Sequence, residues 1–311
     1  MKKLISLLVS SLILAFIYWK IDFQGLIEVF KNCHGWWMGT SLGMVVPLTM
    51  FTAWRLQQLM PKGSRLTFGE ANRLILAASV LNMVLPSKMG DIAKAYFMKQ
   101  RGHLEGSLAL SLVVFEKSCD LLSLLLWCVF GLGFYPSKDW LFWLMTGSVA
   151  LGLITGILLL SNPKFAQVFF LIGRKIAPRK IGTKLEKLQT SWGEMHDYFW
   201  QDKAQLLKIT ITSIFIWFLH LLQIWLFILA LKAWTPFLAN LALSPLAILA
   251  GLLPLTFAGV GTRDAALIAF YQPYFDPATA AALGLLCTSR YLLPALGGLP
   301  FLGQYLTKIK N

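Results

Sequence analysis

The 311-residue chain is 57% hydrophobic and only 14% charged, with 28 Lys and Arg against 14 Asp and Glu for a formal charge of +14. Soluble domains carry about 25% charged residues, so this composition excludes a soluble globular protein and indicates an integral membrane protein. With no soluble basic domain to carry the positive charge, nucleic-acid binding is excluded as well.

Six stretches reach or approach the ~20 apolar residues that cross a bilayer core: about 4–19, 36–60, 104–133, 140–160, 207–231 and 278–307. The first follows Met1-Lys2-Lys3, and no small-residue cleavage site comes before Tyr18-Trp19-Lys20, so it is expected to be a retained anchor. Between the second and third spans lies a segment at about 68–101, and between the fifth and sixth another at about 238–272. Each is apolar for some 17 to 20 residues, reaches Leu-Pro, turns through glycine and charge, and returns through a shorter amphipathic stretch. In the first, Leu85-Pro86 is followed by Gly90-Asp91; in the second, Leu253-Pro254 is followed by Gly259, Gly261 and Asp264.

Neither segment has the ~40 residues that two full spans need. Proline also removes a helix donor, and broken backbone at membrane depth requires protein or water around it. A re-entrant helical hairpin meets both constraints; two tilted helices with a proline kink are the alternative. Asp91 precedes Glu116 by 25 positions and Asp264 precedes Arg290 by 26, which extends the likeness into an internal repeat. Because three spans separate the hairpins, they are expected to enter from opposite faces. The predicted fold is therefore an all-α polytopic membrane protein: six transmembrane helices plus two oppositely entering re-entrant hairpins in an inverted repeat. In one domain, 1–311, the first repeat covers about 68–133 and the second about 238–307. Transporters with this layout hold substrate near the midplane between broken helices.

Lysines and arginines orient the chain, since cytoplasmic loops hold the excess. A cytoplasmic N-terminus puts Lys62, Arg65 and the basic loop of about 162–208 inside, together with Lys308 and Lys310 at the C-terminus. The outside keeps little more than Lys20, Lys31, Lys138 and Lys232. This is the pattern of a plasma membrane protein, in bacteria the inner membrane. The 162–208 loop, with FAQVFFLIGRKIAPRK, reads as short amphipathic helices on an anionic leaflet; a solvated connector is the alternative.

Cys33, Cys119, Cys128 and Cys287 are scattered, as are the four histidines, so no metal site or disulfide framework is indicated. No nucleotide-binding or hydrolase motif appears, and no cofactor is implied. The charges inside the apolar segments are therefore the candidate functional residues, because such charges are costly in lipid. Glu116 lies about 12 residues, or ~18 Å, into its span. Asp120 shares its helix face, and Lys117 is adjacent. Counting Arg55, Arg73, Lys88, Lys94, Lys117, Arg263 and Arg290 against Asp91, Glu116, Asp120 and Asp264 leaves three more cations than anions. An anionic ligand such as a lipid phosphate would supply the missing charge, aided by broken-helix N-termini. Structural ion pairs are the alternative reading.

The runs NMVLPSKMGDIAKAYFM, VVFEKSCDLL and LLPLTFAGVGTRDAALIAFY, with Arg55 in TAWRLQQL, together resemble the lysylphosphatidylglycerol synthase transmembrane-domain family of flippase-like membrane proteins. The first family motif is carried by Pro86, Lys88, Gly90-Asp91 and Lys94, and the second, degenerate here, by residues 257–264. Both family glutamates are aspartates in this chain. The resemblance implies translocation of an anionic lipid headgroup, phospholipid or polyprenyl-phosphate-linked, by a flippase or scramblase that is not an enzyme. Arg55, Asn82, Lys88, Asp91, Lys94, Glu116, Lys117, Asp120, Arg263, Asp264 and Arg290 are the expected binding residues. Pro86, Gly90, Pro254, Gly259 and Gly261 are the expected hairpin breaks. The chain ends about four residues past its last span, so lysylphosphatidylglycerol synthesis by this polypeptide is not expected. A membrane-embedded transferase on a lipid-linked substrate and a lipid-binding partner subunit are the alternatives. Expected partners are anionic membrane lipids, with a second copy of the chain or a separate lipid-modifying enzyme as further options.

Overall fold

The computed structural model describes residues 23–61, 63–64, 66–84, 90–101, 103–135, 138–176, 179–252 and 261–306, which form helices and turns with no strand among them. The expected first span and the hairpin turns with Pro86, Lys88, Pro254 and Gly259 lie outside the described residues. In chain order the helices are α1 (Phe23–Lys31), α2 (Gly35–Gly43), α3 (Val45–Leu59), α4 (Phe68–Val84), α5 (Gly90–Gln100), α6 (Gly106–Gly133) and α7 (Trp140–Ser161). They continue with α8 (Pro163–Ile176), α9 (Arg179–Gln201), α10 (Lys203–Ala230), α11 (Phe237–Gly251), α12 (Thr262–Tyr271), α13 (Pro277–Ser289) and α14 (Leu292–Leu306).

Local chemistry sets several boundaries. Asp139, Asp202 and Asp276 each accept a backbone N–H from the first turn of the helix they precede, satisfying donors that have no intrahelical partner. Proline sets the breaks. Pro294 has no N–H for the carbonyl of Arg290, and the last expected span is accordingly divided into α13 and α14 at Arg290-Tyr291. The expected span at 36–60 is likewise two helices, meeting at Met44 just before Pro47.

Three of the described segments are long and apolar enough to cross a membrane: Trp140–Ser161, Lys203–Ala230 and Pro277–Tyr305, the last across the α13–α14 joint. At 28 residues α6 is about 42 Å long, and it differs from these in carrying Glu116, Lys117 and Asp120. Each of 68–101 and 238–272 holds two described helices, the second the shorter, α4 with α5 and α11 with α12.

Each helix pair has its own core. Leu56, Leu74, Phe97, Met98, Leu112 and Phe115 cluster around α4 and α5, while Phe227, Leu243, Leu267, Tyr271 and Leu283 cluster around α11 and α12. The long helix α6 serves both. Its N-terminal half, with Leu112 and Phe115, belongs to the first core, whereas Leu124, Cys128 and Leu132 in its C-terminal half pack with Leu246 of α11. The two pairs therefore occupy opposite ends of one rod.

Two glycines permit close approaches between the helix pairs and their neighbours. A Cβ on Gly131 of α6 would fall 2.2 Å from the carbonyl oxygen of Ala242 in α11, and one on Gly298 of α14 would fall 2.1 Å from that of Leu76 in α4. The packing is thus reciprocal: the first helix of each pair lies against a glycine on a helix downstream of the other pair.

The basic segment at 162–208 corrects one expectation. Its second helix, α9, buries Trp192, Met195 and Phe199, and Phe199 stacks on Phe115 of α6 with ring centroids 4.5 Å apart. So α9 is packed into the bundle, while α8 leaves Val168, Phe169, Leu171 and Ile172 exposed. From Lys203 onward the segment already belongs to α10.

Candidate functional site

The first helix pair meets α3, α6 and α10 in a network of charges. Arg55 donates through Nη1 to Asp120 and to Ser213 Oγ, the latter at 3.0 Å, and through Nη2 to Glu116 Oε1 at 3.2 Å. Lys94 donates to the other oxygen of Glu116. Lys117 bridges Asp91 at 3.3 Å and Asp120 at 3.2 Å. Arg55, Lys94 and Glu116 are buried, and the half-exposed Lys117 forms the open edge of the cluster. Three cations face three anions. Geometry of this kind lets buried charges persist, because each is both neutralised and hydrogen-bonded.

At the break of this pair, a Cβ on Gly90 would lie 2.2 Å from the carbonyl oxygen of Ala78 and 2.6 Å from the amide nitrogen of Asn82, so only glycine lets α5 begin directly against α4. The buried Oδ1 of Asn82 beside it has no hydrogen-bond partner among the described residues.

The second pair handles charge differently. Gly261, with φ of +100°, opens α12 in the left-handed region, and its N–H donates to Asp264 Oδ2 at 3.0 Å. Arg263 lies on Asp264 Oδ1 at 2.8 Å and donates to the Gly284 carbonyl at 3.0 Å and Thr288 Oγ1 at 2.6 Å, both on α13. A neutral network ties the pair together: Tyr271 and Ser244 hydroxyls both donate to Asn240 Oδ1 at 2.9 Å, and Asn240 donates to the Leu221 carbonyl of α10 at 2.9 Å. All three side chains are fully buried.

Arg290 stands apart. It lies at the joint between α13 and α14, only 5% exposed, and its Nε and Nη1 have no hydrogen-bond partner among the described residues. Its Nη2 donates to Tyr291 Oη at 3.2 Å. The buried charged residues among those described are Arg55, Lys94, Glu116, Arg263, Asp264 and Arg290, and of these Arg290 alone lacks an oppositely charged partner.

Of the expected binding residues, Arg55, Asp91, Lys94, Glu116, Lys117 and Asp120 come together, and Arg263 with Asp264 forms a separate pair. Arg290 belongs to neither. No hydrogen bond or ion pair among the described residues joins the two groups, and Lys88 lies outside them. The surplus of three cations counted in the sequence contracts accordingly, because Arg73 is exposed, with its guanidinium 5.8 Å from the ring centre of Phe301. Ser213, Gly284 and Thr288, which complete the two groups, carry no signal in the sequence beyond being small or polar residues in apolar helices.

The chain matches the family described as "Lysylphosphatidylglycerol synthase TM region" over residues 3–298. It is also similar to "UPF0104 membrane protein MJ1595" of Methanocaldococcus jannaschii, with 23% identity over 318 residues that cover 96% of this chain and 93% of that protein. The family match spans nearly the whole chain, the helical pairs and both charged groups included: this is a membrane protein of the lysylphosphatidylglycerol synthase TM region family.

Proposed function

We propose that this protein is a flippase- or scramblase-like transporter in which the anionic headgroup of a lipid pairs with Arg290 in a polar space between two re-entrant hairpins. The observation that carries the reading is the buried guanidinium of Arg290, with two nitrogens unpartnered and no carboxylate against it among the described residues. A buried charge without a counterion costs several kcal/mol, and a planar guanidinium fork suits phosphate oxygens. The attachment of the helix pairs to opposite ends of α6 supports entry from opposite faces. Balanced pairing in the first charged group makes it the scaffold of the cavity, with Lys117 and Arg290 as its ligand-facing cations. In this reading both termini are cytoplasmic, the protein resides in the plasma membrane, acyl chains stay in the bilayer and no covalent bond changes.

The test is translocation of a fluorescent anionic lipid in proteoliposomes, measured with thermal stability for Arg290→Lys and Arg290→Gln. The expected loss is ten- to a hundredfold in Arg290→Gln, the equivalent of about 1.5–3 kcal/mol for a charge-assisted hydrogen bond, with stability retained. Arg290→Lys should be impaired despite its charge. Normal translocation in both well-folded variants would end this role, as would the appearance of a chemically altered lipid.

A further inference from the structure

The outer wall of the charged network holds a second feature. Arg55 of α3 and Ser213 of α10 meet inside the bundle, while the neighbouring Trp54 and the buried Thr212 line the other side of the same wall. Between these two helices runs a groove of about 400 Å³, lined by Phe51, Trp54, Leu207, Lys208, Ile211 and Phe215. Leu207 and Ile211 are 59% and 58% exposed although they lie on a membrane-spanning helix, so the groove opens sideways into lipid. Apart from Lys208 and Thr212 its lining is apolar, and the Thr212 hydroxyl is already spent on the Lys208 carbonyl at 2.7 Å.

Lys208 is the informative residue. Five positions after the start of α10, it lies ~8 Å along the helix, the depth at which a lysine stem runs along apolar surface with its ammonium at the headgroup level. Its Nζ is 5.2 Å from the centre of the Trp54 ring, and it forms no ion pair with a described residue. A tryptophan beside a lysine marks the membrane interface. Phe215, seven residues further, extends the apolar lining ~10 Å deeper. The arrangement offers one cation at headgroup depth above a narrow apolar slot.

We infer that this groove is a lateral binding site for an anionic glycerophospholipid, whose phosphate pairs with Lys208 while the upper part of one acyl chain fills the slot from Trp54 to Phe215. The site lies on the bilayer-facing side of the α3–α10 wall, and the inference does not depend on Arg290 or on transport. A zwitterionic lipid presents the same chain but brings its own cation to the headgroup. The ammonium therefore selects net negative charge, and the slot selects a lipid over a soluble phosphate.

The experiment uses the full-length protein in phosphatidylcholine nanodiscs with trace phosphatidylglycerol bearing an acyl-chain diazirine. After irradiation, adducts are mapped by peptide mass spectrometry. Adducts should concentrate on 51–54 and 204–215, and unlabelled phosphatidylglycerol should compete them at least fivefold better than phosphatidylcholine does. Lys208→Gln should abolish that preference and Lys208→Arg preserve it. Ile211→Trp, which fills the slot, should remove the adducts in a protein that still elutes as a folded species. Equal labelling by a phosphatidylcholine probe with no change in Lys208→Gln would mean ordinary annular lipid and overturn the inference. Adducts elsewhere on the surface, or persisting unchanged in Ile211→Trp, would overturn it too.

Discussion

The helix pairs α4–α5 and α11–α12 share a plan and solve its central difficulty in different ways. Each consists of a longer apolar helix and a shorter one, and each brings an aspartate near the start of its second helix. In the first pair, Asp91 and Lys94 are drawn into ion pairs with α6, so the pair is locked to its neighbour by charge. In the second, Asp264 is taken up by Gly261 and Arg263, and the neutral side chains Asn240, Ser244 and Tyr271 hold the two helices to each other. One pair is bound to its neighbour by ion pairs, the other by a neutral network within itself and by hydrogen bonds to α10 and α13. Duplicated architecture does not require duplicated electrostatics, and among the described residues the buried cation without a carboxylate, Arg290, sits on the second side.

The largest expected effect tests the charged lock. Glu116→Gln removes the anion shared by Arg55 and Lys94 and should destabilise the protein by about 3–5 kcal/mol in thermal unfolding in detergent, because the buried Lys94 loses its carboxylate and Arg55 keeps only Asp120. Adding Lys94→Met should recover part of the loss; an unchanged melting temperature in Glu116→Gln would show that the lock contributes nothing. Next come the reciprocal contacts. Gly131→Ala and Gly298→Ala each set a methyl group against a backbone carbonyl and should cost about 1–3 kcal/mol apiece. A large effect at one site and none at the other in the same unfolding measurement would break the reciprocity.

Tyr271→Phe probes the neutral network. Loss of its hydroxyl removes contacts to Asn240 and Ser244 and should cost about 1–2 kcal/mol, with no dependence on ionic strength. The smallest effect concerns the entry to α13. Partial burial raises the Asp276 carboxyl, but hydrogen bonds from Thr279 and Ala278 outweigh it and hold the group below the ordinary carboxylate range. Asp276→Ala should cost about 1 kcal/mol at neutral pH. A depressed carboxylate contributes stability that is complete above its unfolded value near about 4 and is lost as pH falls through the lower folded value. The gap between wild type and Asp276→Ala should therefore close on acidification, and a constant gap would remove the charged cap.

The helix pairs were legible because Leu-Pro followed by Gly and Asp is a local pattern, readable without knowledge of neighbours. The charged residues were legible as candidates for the same reason. Their pairing was not, since Arg55 meets residues 61 and 65 positions away and the outcome depends on how α3 and α6 rotate about their axes. Counting charges also treats Arg73 and Arg55 alike, although one is exposed and the other buried. The docking of α9 was hidden for a related reason: an apolar stripe looks the same whether it faces lipid or Phe115. Gly131 and Gly298 gave no warning, because glycine is common in membrane helices and only the opposing carbonyl identifies a contact.

The sharing of α6 has a mechanical consequence. Around its middle turns, from Glu116 to Asp120, sliding a neighbour would mean tearing apart opposite charges where little water can replace the partner. Near its last turns the contact with α11 is made, among the described residues, through hydrocarbon and a bare stretch of main chain at Gly131. On α6 the charged grip and the apolar one are thus separate, while α11–α12 keeps polar ties of its own to α10 through Asn240 and to α13 through Arg263.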